Sequence, residues 1–129
     1  MKLKYCMYCA TRLSKRSDTL YICTAGHEYY NNPRAAVTVV IVNVNGRILY
    51  VKRGVEPKKG MYDLPGGFLT FREDAKTAAK RLTYLETGLG LHDVKLLDTA
   101  ISVQNDEVSA SSYVFVSTMW SGESSPGKE

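Results

Sequence analysis

Leu64-Pro65-Gly66-Gly67-Phe68-Leu69-Thr70-Phe71-Arg72-Glu73, continuing through Arg81 to Glu86-Thr87-Gly88-Leu89, is the stretch that decides how this chain folds. A proline followed by two glycines reads as a turn in which the backbone comes close to a neighbour, because glycine has no Cβ to obstruct it. Phe68-Leu69 reads as the short strand that leaves the turn. From Glu73 to Thr87 the apolar residues Ala75, Ala78, Ala79, Leu82 and Leu85 recur at three- and four-residue steps, which predicts a helix. Glu73 and Asp74 fall in its first turn, where the helix dipole favours acids. Gly88 is a natural C-terminal stop.

Working outward, Ala35 to Val44 is rich in Val and Ile and predicts a strand buried on both faces. Asn45-Gly46 signals a two-residue hairpin, with Arg47 to Lys52 as the returning strand and residues 53–62 as a polar loop holding Pro57 and Gly60. Beyond the helix, Val94 to Val103 and Ser112 to Met119 are strand candidates, with a polar loop over 104–111 between them. Gly122 to Glu129 is rich in Ser, Gly and Pro and is expected to be mobile. Many strands around one helix make an α+β chain, with an antiparallel or mixed sheet packed on that helix.

The pattern Gly67-x5-Glu73-x7-Arg81, followed by Glu86-x-Gly88-Leu89, resembles the Nudix box. Flanking text is also similar: Tyr30-Asn31-Asn32-Pro33-Arg34, Lys52-Arg53-Gly54-Val55-Glu56-Pro57 and Asp63-Leu64-Pro65-Gly66-Gly67-Phe68. The resemblance covers most of residues 1–122 and implies a Nudix-type mixed sheet carrying the box helix over residues 34–122, with 123–129 as a tail. It implies Mg²⁺- or Mn²⁺-dependent cleavage of a pyrophosphate bond in a nucleoside-diphosphate-linked substrate. Glu86 and Glu73 would hold the magnesium, and Arg81 would pair with Glu73. Gly66, Gly67, Arg53 and Tyr62 would meet the substrate. Hard cations take oxygen ligands, so carboxylates clustered on one helix face opposite a close glycine turn make chemical sense. Tyr62, Phe68 and Phe71 are candidates to stack on a base, although core packing is the expected role of Phe68.

The chain departs from the family pattern at two of its acids. The box glutamates would fall at 82 and 85, and the chain has Leu82 and Leu85 there, with Thr83 in place of an apolar residue. Positions 82, 85 and 86 share a helix face, so two charges are lost from it and apolar surface is gained. Glu107 or Asp106 is a candidate substitute ligand. The family's fold also continues after its last strand with a further helix. Here a polar tail follows, so the resemblance implies either that the C-terminal part is missing or that a second subunit covers the sheet, as in a homodimer.

All three cysteines, Cys6, Cys9 and Cys23, lie in the first 23 residues. An odd number argues against a disulfide framework. Cys6-x-x-Cys9 has zinc-knuckle spacing, Cys23 supplies a third ligand and His27 is the nearby candidate for a fourth, which makes a closed, structural site. A second Cys-x-x-Cys would put cysteine at 26, where the chain has Gly26, so the longer imidazole of His27 has to compensate. Residues 1–33 thus read as a small zinc ribbon joined at Asn32-Pro33. Such a ribbon ahead of a Nudix domain is familiar from the branch that includes NADH pyrophosphatases. His92 reads as an exposed polar residue.

The net charge of +4 belongs to the N-terminal segment: residues 1–34 hold six basic residues against two acidic, and residues 35–129 hold eleven of each. A basic segment suits a polyanion, but a solvated surface explains so mild an excess, and nucleic acid is the weaker expectation for a partner. No run of about 18 apolar residues exists, so no membrane span is expected. The chain starts without the apolar core of a secretory signal, which makes a cytoplasmic address the default. Three functions follow. One is a Nudix hydrolase weakened by the two leucines. Another is a non-catalytic Nudix module that binds or regulates through a nucleotide. The third is a zinc-ribbon contact module for nucleic acid or protein.

Overall fold

The computed structural model describes residues 3–56 and 58–124; Pro57 and residues 125–129, most of the stretch expected to be mobile, lie outside the described residues. The chain divides into two compact units, Met1–Pro33 and Arg34–Glu129.

In the first unit, β1 (Leu13–Lys15), β2 (Leu20–Cys23) and β3 (Glu28–Tyr30) form an antiparallel meander in that order. The β1–β2 turn is held by Ser17, whose Oγ accepts from the backbone N–H groups of Thr19 and Leu20 at 3.2 and 3.0 Å. The β2–β3 turn passes through Gly26 at φ +86°, a left-handed conformation that suits glycine. The buried residues here are Cys6 and Cys23, which leaves little apolar core to hold three short strands together.

In the second unit, β4 (Arg34–Ile41), β7 (Gly66–Phe68), β9 (Lys95–Gln104) and β10 (Glu107–Ser117) form one sheet in the order β7-β4-β10-β9. Its central pair, β4 with β10, is parallel over the register Ala110↔Arg34 to Ser117↔Ile41, and the outer pairs are antiparallel, so the sheet is mixed. Two small ribbons flank it, β5 (Val51–Lys52) with β6 (Tyr62–Asp63) and β8 (Gly90–Leu91) with β11 (Trp120–Ser121). The single described helix, α1 (Ala75–Thr87), lays Ala78, Ala79 and Leu82 on Val37, Val39, Ile41 and Phe115 of the sheet.

Several expected boundaries move. The helix starts at Ala75 rather than Glu73, because Asp74 is its N-cap and its carboxylate accepts from Thr77 N–H at 2.8 Å. Gly88 ends it in the left-handed region as expected, with its N–H bonded to Tyr84 O at 2.8 Å. β4 stops at Ile41, not Val44. Asn43 curls the chain early: its side-chain oxygen accepts from the N–H groups of Asn45 and Arg47 at 3.0 and 2.9 Å, an Asx arrangement that competes with a ladder. The returning segment therefore meets the end of β4 through the Val42↔Ile48 bridge and the Leu49 N–H to Ile41 O and Asn43 N–H to Arg47 O bonds, and β5 pairs with β6 instead. The polar loop expected over 104–111 is a two-residue hairpin turn, Asn105-Asp106, both at positive φ (53° and 61°), which Asn and Asp tolerate. β10 accordingly begins at Glu107 rather than Ser112.

Thr83 occupies a core position on α1, and its Oγ1 is buried with no hydrogen-bond partner among the described residues. A desolvated, unbonded hydroxyl costs about 1–3 kcal/mol. Thr83→Val keeps the shape and removes the hydroxyl, so it is expected to stabilise the protein by about 1 kcal/mol or more, read as a higher urea midpoint at unchanged slope. An unchanged or lowered midpoint would refute the assignment.

Candidate active site

The Pro-Gly-Gly turn is pressed against the central strand. Gly66 and Gly67 pair with Thr38 and Val37 of β4, and a Cβ on Gly66 would collide with the carbonyl of Val37. On the helix side, the Leu82 side chain fills the space beside Gly67, where the methyl carbons would lie 3.1 and 3.2 Å from an added Cβ. Leu82 is 7% exposed and belongs to the core, whereas Leu85 is 41% exposed. The helical stripe read from the sequence thus runs through Thr83 instead of Leu85.

Glu73 sits in the loop before α1, with both oxygens engaged. Arg81 Nε donates to one at 2.7 Å, Arg81 Nη2 to the other at 2.9 Å, and Thr70 N–H adds a bond at 3.1 Å. The same Nη2 reaches Phe68 O at 3.1 Å, so one guanidinium ties helix, loop and glycine turn together. The expected Glu73–Arg81 pair therefore forms. Glu73 is not among the residues that line the cleft, and both its oxygens accept from Arg81. The Arg81 guanidinium, with help from the Thr70 N–H, holds its carboxyl down at about 2. A depressed carboxylate contributes stability that is present above its unfolded value, near 4.5, and is lost as pH falls through about 2. Glu73→Gln is therefore expected to lower the urea midpoint at neutral pH and to flatten its decline between about pH 4.5 and 2. Equal declines in both proteins would remove Glu73 as the acid-sensitive group.

A cleft of about 750 Å³ opens on the sheet beside the turn. Of the residues expected at the site, Glu86, Gly66, Gly67 and Arg53 line it. Tyr62 lies on β6, 72% exposed, and is not among the lining residues. Phe71 is 90% exposed under Arg72. Phe68, expected in the core, is instead half exposed at the cleft with the Arg34 guanidinium 4.2 Å from its ring centroid. Asp106 occupies the hairpin turn and Glu107 the first position of β10, and neither lines the cleft as a substitute ligand would. His92 is exposed, as expected.

The structure adds Tyr50, Lys52 and Asp63 to one wall and Ser102, Ala110 and Ser112 to the floor. Ala110 was hidden by reading 104–111 as a loop, and Ser102 and Ser112 fell at the ends of their expected strands with nothing to mark which way they face. An Asn-Asp hairpin would have placed Ala110 and Ser112 on one face of a strand. Asp63 faces Arg53 across 3.8 Å, and its other oxygen accepts from Leu64 N–H at 2.8 Å.

Within the first unit, the ligand atoms of Cys6, Cys9, Cys23 and His27 lie within 4.8 Å of one another, and these residues could hold a metal ion. Cys9 Sγ to Cys23 Sγ is 3.7 Å, and His27 Nδ1 stands 3.5 and 3.4 Å from the sulfurs of Cys6 and Cys23. Bonds of about 2.3 Å to sulfur and 2.0–2.1 Å to nitrogen in a tetrahedron put such atoms about 3.6–3.8 Å apart. The backbone N–H of Tyr8 donates to Cys6 Sγ and that of His27 to Cys23 Sγ, at 3.4 and 3.2 Å. The Thr11 hydroxyl, 3.0 Å from Cys9 Sγ, pulls that thiol down to about 7.

The profile of the NUDIX domain matches residues 32–129. The chain belongs to the Nudix family. Solved Nudix structures agree. The MutT NUDIX hydrolase of Burkholderia pseudomallei is 31% identical over 74% of each chain, with a TM-score of 0.68. The NUDIX hydrolase of Nitrosomonas europaea is 25% identical over 98% of this chain and 73% of that one, with a TM-score of 0.74. The NUDIX domain of Shewanella oneidensis NrtR, complexed with ADP ribose, shares the fold at 18% identity over 78% of this chain and 69% of that one, with a TM-score of 0.66. Among the described residues no helix is long and apolar enough to cross a membrane.

Nudix enzymes use divalent metals such as Mg²⁺. The Nudix helix of this chain is poorly furnished for one. Among the described residues the only group of three or more ligating side chains is the cysteine–histidine cluster. Two carboxylates line the cleft, Glu86 with its Oε2 buried and Asp63 turned toward Arg53 and the backbone. These residues do not fit a multi-carboxylate Mg²⁺ site.

Proposed function

We propose that this chain is a Nudix hydrolase of a nucleoside-diphosphate-linked substrate whose turnover is held low by Leu82 and Leu85. One observation supports this reading above the others: of the three α1 positions where the box pattern has acids, only Glu86 brings a carboxylate to the cleft. The rest of the cleft suits a phosphate group: Arg53 and Lys52 offer positive charge, and the Gly66-Gly67 backbone, packed on Val37 and Leu82, forms part of the lining. The stacked Arg34–Phe68 pair gives a half-exposed aromatic edge for a base. Glu86 is the carboxylate positioned to take a proton from water, while Arg81 and Glu73 keep the turn and helix in register.

The test is release of mononucleotide from ADP-ribose, NADH and a nucleotide sugar with Mg²⁺ or Mn²⁺, for the wild type and for a variant with the box acids restored. Slow wild-type turnover is expected. A wild type as fast as the restored variant would refute the reading. The lack of a carboxylate cluster favours a second reading, a non-catalytic nucleotide-binding module. It requires ligand-dependent stabilisation with no product at any enzyme concentration.

The proposal extends to the first unit, which we read as a zinc ribbon with Cys6, Cys9, Cys23 and His27 as the four ligands, similar to the arm of NADH pyrophosphatases. Three separations of 3.4, 3.5 and 3.7 Å among the four ligand atoms, close to those of a tetrahedral site, support it.

A further inference from the structure

The charges that face the cleft are few. Glu86 comes from α1 and Asp63 from β6, against Lys52 and Arg53 at the end of β5, with Arg34 beside it on Phe68. Among the lining residues that is two cations to two carboxylates, with Arg34 as a third cation beside the cleft, and Asp63 already lies 3.8 Å from Arg53. A helix bearing three acids would repel a diphosphate until a cation lay between them. Here Leu82 is packed into the core and Leu85 carries no charge, so most of that repulsion is absent. Lys52 and Arg53 line the cleft, Arg53 beside Asp63, and guanidinium groups suit phosphate oxygens.

Resting on the reading of the cleft as a nucleoside-diphosphate site, we infer that this protein binds its ligand without a metal ion, by Lys52 and Arg53, and that Mg²⁺ adds nothing to the affinity. The same two substitutions that slow hydrolysis make the cleft a metal-independent diphosphate receptor. Cellular Mg²⁺ then does not control its occupancy.

The experiment is calorimetric titration of the full chain with ADP-ribose in Mg²⁺ buffer and again in excess citrate, which sequesters Mg²⁺ while competing weakly for the N-terminal metal. Kd values that agree within about threefold are expected. Arg53→Ala is expected to weaken binding by about tenfold in both buffers alike. Leu85→Glu, at an exposed helix position, is expected to make binding metal-dependent, about tenfold weaker without Mg²⁺ and recovered with it. Wild-type binding that needs Mg²⁺ overturns the inference and leaves the cleft assignment standing. Absence of binding in both buffers overturns the cleft assignment and the inference with it.

Discussion

Replacing Leu85 by glutamate is expected to raise Mg²⁺-dependent hydrolysis by about 10²–10³-fold, the usual weight of one preorganised electrostatic group. Adding Leu82→Glu carries the gain toward roughly 10⁴-fold, short of a simple product because groups that act as a unit are not additive. The two positions differ in what else they do. Leu85 is 41% exposed and its replacement leaves the core alone. Leu82 packs beside Gly67, and losing a core leucine typically costs about 2–5 kcal/mol. The double variant is therefore expected to melt lower while turning over faster, and circular dichroism alongside the nucleotide-release assay separates the two effects. If neither variant gains activity, the leucines are not what limits the reaction.

If the first unit holds zinc as proposed, removing the metal is expected to unfold it. Among the described residues of this unit only Cys6 and Cys23 are buried, so its three short strands have little apolar core to hold them. Structural zinc contributes about 10–16 kcal/mol in comparable small domains, far more than such a core supplies. Strong chelation, Cys23→Ser or His27→Ala is expected to collapse the dispersion of amide signals from residues 3–33 while those of the second unit persist. One zinc per chain by native mass spectrometry, lost in the variants, completes the test. An N-terminal unit that stays folded free of metal would defeat the assignment. Acid should act in the same direction, because thiolates and imidazole bind metal only when deprotonated.

The helix, its C-terminal glycine and the glycine turn were legible because each rests on local chemistry. Ala78, Ala79 and Leu82 mark a face by their spacing, and Gly88 suits the left-handed cap. The Cys and His set was legible for the same reason, since Cys6-x-x-Cys9 has knuckle spacing and Cys23 and His27 are the nearby side chains able to join it. The boundaries that moved did so through side-chain bonds to the backbone. Asp74 captured Thr77 N–H and delayed the helix, and Asn43 captured two N–H groups and ended β4 early. The cleft was the least readable part. Its floor comes from β9 and β10, and their pairing through Asn105-Asp106 depends on positive φ at two polar residues set between Gln104 and Glu107, a run of four polar residues that reads as a loop. Phe68 was assigned to the core by composition, yet the edge strand β7 turns it outward to meet Arg34. Helical periodicity placed Leu85 inside. Thr83 took that place because the sheet lies under the other flank of the stripe.

β10 separates two kinds of selective pressure along a single strand. Ala110 and Ser112 face the cleft, while Phe115 is buried in the core against α1 and Ser117 holds Asp93 at 3.1 Å. Residues of similar size at Ala110 or Ser112 alter the pocket while sparing the core under α1, and changes at Phe115 alter the scaffold while sparing the pocket. Recognition and thermal tolerance can thus be adjusted separately along this strand.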